Sequence, residues 1–483
     1  FLFEDDKSGS VRRVKSRVTS IMFSKDIYQQ RREKLRQDLG SGVIVFLGNN
    51  EAPMNYSANT YHFRQDSNFL YFFGIDHQPA LAGILDADSG EDVIFGDELT
   101  MEDIVWTGAQ PTIAERADRV GVSKTLPYDE LTLLLKKAQE QGRTIHFPPP
   151  YRHDNMILLA GWLGIPVGEL KSKASVDLIK AIVAQRQHKS AEEIAELDKA
   201  VDYSRAMHLA VMRAAKAGQK EYFLAGIAAG VAQSCGGELG YPIILSVNGQ
   251  VLHNHFHGNT LRSGQLLLGD FGAETHLHYC GDITRTCPVD KKFTARQRDI
   301  YNIVLDAEVS TIASLKPGMK YLDAHLAAAR RMAEGLKSLG LMTGDMDEAV
   351  AAGAHALFFP HGLGHMLGLD VHDMEDLGEQ YVGYSDEVQR STQFGTAYLR
   401  LARALEPGFV LTVEPGLYFI PELIDQWRSE GKFTEFIAYE KLDDWRSFGG
   451  VRIEDNVVVT EAGCRVLGKA IAKTIEDVEA LRS

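Results

Sequence analysis

Four strand-like stretches of this chain each carry a carboxylate, and that limits what the chain can fold into. Leu266-Leu-Leu-Gly-Asp270 ends in an acid and Gly281-Asp-Ile-Thr-Arg-Thr286 opens on Asp282. Phe409-Val-Leu-Thr-Val-Glu414 reaches a glutamate just before Pro415-Gly416, and Gly449-Gly-Val-Arg-Ile-Glu454 carries the fourth. A carboxylate taken inside by a buried strand is costly unless it is paired or bound to metal. The four acids therefore either reach solvent separately or converge on cations.

Each stretch alone leaves both readings open. Asp270 and Asp282 are twelve residues apart, centred on His276. An antiparallel hairpin turning there sets them opposite each other, where like charges repel without a cation between them. The alternative is one strand-end and one turn aspartate with no relation. Phe358-Phe-Pro-His-Gly-Leu-Gly-His365, continued by Met-Leu-Gly-Leu-Asp-Val-His372, holds His361, His365 and His372 within a dozen residues. Gly362 and Gly364 oppose a regular helix and favour close backbone approach, while any one histidine can equally be a satisfied structural residue. Strand alternation puts Arg452, Glu454 and Asn456 on one face and Val451, Ile453 and Val457 on the other. The plain reading of Arg452 is an ion pair with Glu454 or a neighbour.

Taken together, Asp270, Asp282, His365, Glu414 and Glu454 make a donor set. Four carboxylates and one imidazole are a poor structural zinc site, which prefers Cys and His. They suit two hard divalent ions, whose charge balances theirs; oxygen-rich ligation with one nitrogen favours Mn²⁺, with Co²⁺ or Zn²⁺ able to compete. Two ions about 3.5–4 Å apart share a bridging hydroxide and clamp a tetrahedral transition state.

The 483 residues exceed a single core, so two domains are expected. From Ser24 the pattern alternates helix and strand. A capped helix runs through Ile27, Arg31, Leu35 and Leu39 to Gly40. Strand-like runs follow at 43–47, 70–73, 81–85 and 93–95, and helical spacing at 131–138 and 156–163. This is an α/β domain over residues 22–173, closing in a polar linker at 171–175. Over residues 174–483, Ser190 and Glu193 form a capping box at the head of a long helix, with more helix to about 233. Strand texture at 243–247, 266–271, 283–286, 409–413 and 451–459, with helices at 299–315 and 322–339, makes this second domain α+β. Residues 1–21, ahead of Met22, read either as an upstream extension or as a non-native remnant and receive no fold role.

Composition excludes some partners. With 51 Lys+Arg against 66 Asp+Glu the formal charge is −15, which disfavours nucleic acid and anionic membranes. No apolar run approaches the roughly 20 residues of a membrane span. The four cysteines make neither a disulfide framework nor a zinc knuckle, so a reducing, cytoplasmic setting is expected.

The ordered motifs resemble the pita-bread metallopeptidases: an aspartate, then Gly281-Asp-Ile-Thr-Arg-Thr286, His361-Gly-Leu-Gly-His365, Thr412-Val-Glu-Pro-Gly416 and Arg452-Ile-Glu-Asp455. Xaa-Pro aminopeptidases (aminopeptidase P) and prolidases are nearest. Phe63-Arg-Gln-Asp-Ser-Asn-Phe-Leu-Tyr-Phe-Phe-Gly74 resembles the smaller N-terminal domain of that group, which methionine aminopeptidases usually lack. The resemblance implies a pita-bread catalytic domain in which Asp282 and Glu454 bridge two ions, Asp270 completes one, and His365 with Glu414 completes the other. Glu414 would also take a proton from the attacking water. His253, in Val251-Leu-His-Asn-His-Phe-His257, falls at the substrate-side histidine, with His255 and His257 crowding the assignment. His361 falls near the scissile amide, His372 at the proton shuttle, and Arg452 where it orients the bridging carboxylates or reaches substrate.

The implied activity is hydrolysis of the bond between an N-terminal residue and a penultimate proline by a metal-bridging hydroxide. A prolidase acting on Xaa-Pro dipeptides is the near alternative, and a catalytically silent binding module of the same fold a remote one. The implied partners are peptides with proline second, together with further copies of the chain in a dimer or tetramer. Tyr61, Arg64 and Trp106 either pack on their own sheet or reach a neighbouring subunit's site. Two departures stand out: the Asp270–Asp282 hairpin is one residue longer than the family's, around 275–279, and a polar, poorly periodic segment at 375–404 reads as a loop over the site's mouth.

Overall fold

In the computed structural model residues 22–482 are described; the extension at 1–21 lies outside them. The first helix, Lys25–Leu39, ends at Gly40 in the left-handed conformation that glycine adopts without a Cβ clash, although Ser24 at its N-cap makes no side-chain capping bond. This helix lies on a five-stranded sheet ordered Lys124–Leu126, Asp92–Phe95, Ala82–Asp86, Val43–Leu47, Ile145–His146. Val43–Leu47 pairs antiparallel with Ala82–Asp86 and parallel with Ile145–His146. Arg32 is buried beneath the helix and donates to Asp92 and to the carbonyls of Phe72 and Val120, so its charge is paired and its donors are satisfied.

The apolar run at 70–73 is helical, not extended. Asp66 caps the helix Ser67–Phe73 by accepting from Phe69 N at 2.9 Å, and Gly74 ends it. A short run buried on all sides carries no periodicity to separate helix from strand. The expected linker at 171–175 is also ordered: Leu170–Lys173 is a helical turn with Leu170 fully buried, and Ser175 caps the next helix, Val176–Arg186. That helix packs on Lys25–Leu39, and Arg186 at its end pairs with Asp370 and Asp373 of the second domain. Small polar residues here cap and turn the chain rather than loosen it.

In the second domain the Ser190–Glu193 capping box opens the helix Ala191–Ala214. With Glu221–Ser234, Ala295–Ser314 and Tyr321–Ser338 it flanks short antiparallel sheets, an α+β arrangement. One sheet is Thr284–Pro288, Leu266–Asp270 and Ile244–Ser246; another is Val410–Val413, Asp455–Thr460 and Gly463–Val466.

Two expectations about strands need correction. Asp270 pairs with Thr284, not with Asp282. The turn is centred on Leu277, where Thr275 N donates to Tyr279 O and His278 takes φ 65°, so the register is displaced by two. A displacement of two preserves the face, leaving the aspartates diagonal neighbours rather than opposites. The stretch 451–459 is two strands: Gly450–Arg452 pairs with Gly416–Tyr418, and Asp455–Thr460 pairs with Val410–Val413. The chain changes partner at Ile453-Glu454, opposite the same change at Glu414-Pro415. Both glutamates thus sit at matched breaks where regular pairing lapses.

The domains meet across a polar seam. Arg64 donates to Leu369 O at 2.7 Å and to Glu274 at 3.3 Å, which commits it to its own chain's catalytic domain. His278 lies between Glu274 at 2.7 Å and Asp76 at 2.8 Å. Tyr61 and Trp106 do not pack on their sheet; they are 56% and 81% exposed. All four cysteines are free thiols, and no described helix is long and apolar enough to cross a membrane.

Candidate active site

The matched strand breaks and the hairpin open onto one cavity of about 290 Å³, lined by Asp270, Asp282, His365, Glu414, Arg452 and Glu454 among others. Asp270 reaches it from the end of its strand and Asp282 from the loop before Thr284. Asn456 holds Asp282 at the backbone, accepting from its N–H at 2.9 Å and donating to its carbonyl at 2.6 Å. Tyr241 Oη lies within hydrogen-bond distance of both aspartates, 2.7 Å from Asp270 Oδ1, and its single proton serves one of them at a time. Thr284 Oγ1 donates to Glu454 Oε2 at 2.7 Å and accepts from Arg452 Nε at 3.0 Å. Arg452 pairs with Asp270 rather than with Glu454 and donates to Tyr418 Oη at 2.7 Å.

His365 is set by its backbone. Its N–H donates to Thr412 Oγ1 at 3.1 Å, and Gly364 beside it has no room for a Cβ, which would stand 2.1 Å from Thr412 O. Nδ1 faces the Met366 carbonyl at 3.0 Å; a carbonyl only accepts, so Nδ1 carries the proton. That leaves Nε2 aimed at the acids, 3.3 Å from Asp282 Oδ2 and 3.7 Å from Glu414 Oε1. His361 donates from Nδ1 to Gly362 O and faces Tyr418 Oη with Nε2 at 2.9 Å, so both of its nitrogens are engaged. His372 stacks edge-on to His365 at 4.4 Å and bonds Glu375 through Nδ1 at 2.5 Å, which turns Nε2 toward the cavity. His253 and His255 stand on the exposed side of the cavity wall.

The electrostatics are those of crowded, dehydrated carboxylates. Burial, then the charges of Asp282, Glu414 and Asp270, holds the Glu454 carboxyl well above its ordinary range. Burial likewise raises Glu414 to about 7, against the pull of His365 and Arg452. Asp270 is raised by burial, with Arg452 opposing. Burial also acts upward on Asp282, but the hydrogen bond and charge of His365 outweigh it and the net shift is downward. His361 is driven to about 3 by burial and by Arg452, and is therefore neutral.

These residues fit a metal centre. Asp282, His365 and Glu454 offer ligand atoms all within 4.8 Å of one another, and all three are buried. Glu454 Oε1 is buried with no hydrogen-bond partner among the described residues, a costly state that a cation would relieve. Asp270 and Glu414 line the same cavity but lie outside that triad. Sequence reasoning missed Tyr241 and Arg400, which carry no motif of their own, and gave no role to Thr284, inside Gly281–Thr286, or to Tyr418, two residues past Thr412–Gly416. The 375–404 segment supplies Tyr398 and Arg400 to the cavity wall and contains short helical turns at Glu375–Leu377, Glu379–Val382 and Thr396–Tyr398.

Buried acids around a three-ligand cluster, on paired strands flanked by helices, define a metal-dependent hydrolase. A family model described as "Metallopeptidase family M24" matches residues 195–461, and one described as "Aminopeptidase P, N-terminal domain" matches residues 28–146. The chain belongs to metallopeptidase family M24. It is 33% identical over 472 residues to the Xaa-Pro dipeptidase of Homo sapiens, covering 93% of this chain and 90% of that protein. It is 31% identical over 474 residues to the Xaa-Pro aminopeptidase of Escherichia coli strain K12, covering 95% and 98%. Aminopeptidase PepP of Pseudomonas aeruginosa superposes with a TM-score of 0.78 at 28% identity, covering 95% of this chain and 98% of that one.

Proposed function

We propose that this chain is a Xaa-Pro aminopeptidase, hydrolysing the bond between an N-terminal residue and a penultimate proline. The carrying observation is the convergence of Asp282, His365 and Glu454 in a dehydrated cavity with Glu454 Oε1 unpartnered. The relatives named Xaa-Pro aminopeptidase and Xaa-Pro dipeptidase supply the proline specificity. In this reading residues 22–173 form the accessory domain and 174–483 the catalytic domain. Asp270, Asp282, His365, Glu414 and Glu454 would hold two divalent ions, Mn²⁺ first, with Co²⁺ or Zn²⁺ as substitutes. Bound there, the ions would supply Lewis acidity and lower the pKa of water toward neutrality.

The chain's own groups do the rest. Glu414, raised to about 7, is matched to taking a proton from water near neutral pH. Arg452 holds Asp270 against its carboxylate neighbours and, through Tyr418, fixes the neutral ring of His361 beside the substrate. His372, with Nδ1 anchored on Glu375, presents Nε2 to return a proton to the departing proline nitrogen. His253 contacts the substrate from the mouth. The free thiols fit a reducing compartment, the cytoplasm in this reading.

One observation favours the prolidase reading. Arg400 lines the cavity; its Nε ion-pairs with Glu375 and Glu379 at 3.4 and 3.5 Å but makes no hydrogen bond among the described residues. Such a cation suits the terminal carboxylate of a dipeptide. The test is release of alanine from Ala-Pro-Ala and from Ala-Pro, with chelator and after Mn²⁺ return. Chelator-sensitive turnover of the tripeptide is expected. Turnover of the dipeptide alone would establish a prolidase, and no turnover with metal bound would leave a binding module. Arg400→Met is expected to raise KM for Ala-Pro by about tenfold or more while changing Ala-Pro-Ala less.

Oligomerisation is proposed through the N-terminal domain. The helix Met101–Thr107 buries none of its residues and exposes Met101, Val105 and Trp106 together. A second copy covering this face would account for three apolar side chains left in water. Trp106→Glu is expected to shift the particle to monomer, read as mass by light scattering.

A further inference from the structure

A second cavity, of about 890 Å³, lies between the two domains and abuts the metal pocket, Val371 and His372 lining both. Its N-terminal side is built where two parallel neighbours end: Asn49 follows Val43–Leu47, and Phe147 through Tyr151 follow Ile145–His146. The carboxyl ends of parallel strands are where open α/β sheets place ligands, and the volume falls in the small-molecule range.

Its wall has an apolar strip and an unmet polar demand. Phe63, Phe147 and Pro148–Pro150 form the strip. Asn155, 7% exposed, donates from Nδ2 to Gly48 O at 3.3 Å, but its Oδ1 has no partner. Asp66 spends one oxygen on Phe69 N and forms no ion pair among the described residues; burial pushes its carboxyl up to about 6, against the charges of Arg186 and Arg64. Gln65 Oε1 accepts from the backbone N–H of Asn49 and of Asp66, at 2.7 and 2.9 Å, tying the Gly48–Asn49 turn on which Asn155 rests to Asp66. The guanidiniums of Arg64 and Arg186 nearby are already committed to Glu274, Asp370 and Asp373. The third arginine of the wall, Arg152, is spent on Asp154, so among the described residues no charged donor bonds Asp66 or Asn155 Oδ1.

We propose that this interdomain cavity is a second ligand site, for a small organic amine whose ammonium is held by Asp66 and Asn155 Oδ1 and whose apolar body packs on Phe63, Phe147 and Pro148–Pro150. The site is separate from peptide hydrolysis and goes beyond that function. Glu375, which anchors His372, lines the same cavity.

The test uses the metal-loaded full chain with tryptamine as the amine and tryptophol, its uncharged isostere, as control, each titrated by calorimetry. Tryptamine is expected to bind about tenfold or more tightly than tryptophol. Asp66→Asn, which keeps a capping side chain, and Asn155→Leu are each expected to weaken tryptamine by a similar factor while leaving Ala-Pro-Ala turnover unchanged. Equal binding of the two probes, undiminished binding in both variants, or displacement of tryptamine by saturating Ala-Pro-Ala would overturn the proposal. The binding arms stand whether or not the chain cleaves that peptide, so failure here is distinct from failure of the aminopeptidase reading.

Discussion

Asp282→Ala and Glu454→Ala are each expected to abolish turnover of Ala-Pro-Ala and to strip bound metal. Losing a partner behind a metal ligand typically costs 10–100-fold, so losing one of three clustered ligands should exceed about 100-fold in kcat/KM. Activity assays paired with metal analysis check this; near-normal activity in either metal-loaded variant would remove the proposed roles. Glu454→Gln separates catalysis from folding. It is expected to be equally inactive, yet the metal-free variant should unfold at no lower temperature than metal-free wild type. The neutral amide keeps an acceptor for Thr284 Oγ1 and, like the proton-retaining carboxyl it replaces, places no charge beside Asp282, Glu414 and Asp270.

The same crowding fixes a pH dependence. A protonated carboxyl is a poor ligand, and Glu414 holds its proton up to about 7 in the metal-free cavity. Metal affinity should therefore fall as pH drops through that value, and loading should release protons. Titrating metal into weakly buffered protein at pH 6 and pH 8 reads both.

The second large effect is expected at the domain seam. His278 is raised from its ordinary 6.5 to about 9: burial acts downward, but its hydrogen bonds to Asp76 and Glu274 outweigh it. A base whose folded pKa is raised stabilises fully below its unfolded value and loses that contribution as pH rises through the folded one. The stabilisation is thus complete below about pH 6.5 and lost by pH 9 and above, an effect of about 3 kcal/mol if the whole shift is realised. His278→Ala also leaves Glu274 with Arg64 alone and Asp76 with His77 alone as ionic partners among the described residues. A lowered Tm at pH 7 is expected, with the gap to wild type narrowing by pH 10. A gap that does not change with pH would show that His278 acts through packing alone.

Much of this protein was legible without coordinates, because the informative residues break the local rule around them. An acid at the end of Leu266-Leu-Leu-Gly or Val410-Leu-Thr-Val is conspicuous against an apolar strand, and a capping box at Ser190 announces its helix from four residues. Where surroundings are uniform the reading failed. The run at 70–73 is apolar on every side whether helical or extended, and the small polar residues at 171–175 suit a cap as well as a linker. Tyr241 and Arg400 could not be found, since an isolated tyrosine or arginine gains meaning only from what folds against it.

Residue type and order alone thus pointed to the chemistry: four carboxylates and a histidine set among apolar and glycine-rich segments, hence a site for cations, and two domains to hold 483 residues. Tertiary structure decided how these parts meet. It moved the hairpin register by two, set Glu414 and Glu454 at matched strand breaks, gave Asp270 rather than Glu454 to Arg452, and left Glu454 Oε1 unpartnered. It also closed an interdomain cavity around the start of the Phe63–Gly74 motif, which the sequence does not mark as a cavity wall. The physical reason is range. Burial preference and strand alternation act between near neighbours and are written in the sequence, whereas register, pairing and cavities depend on which distant groups pack together, and many sequences satisfy the same local rules with different partners.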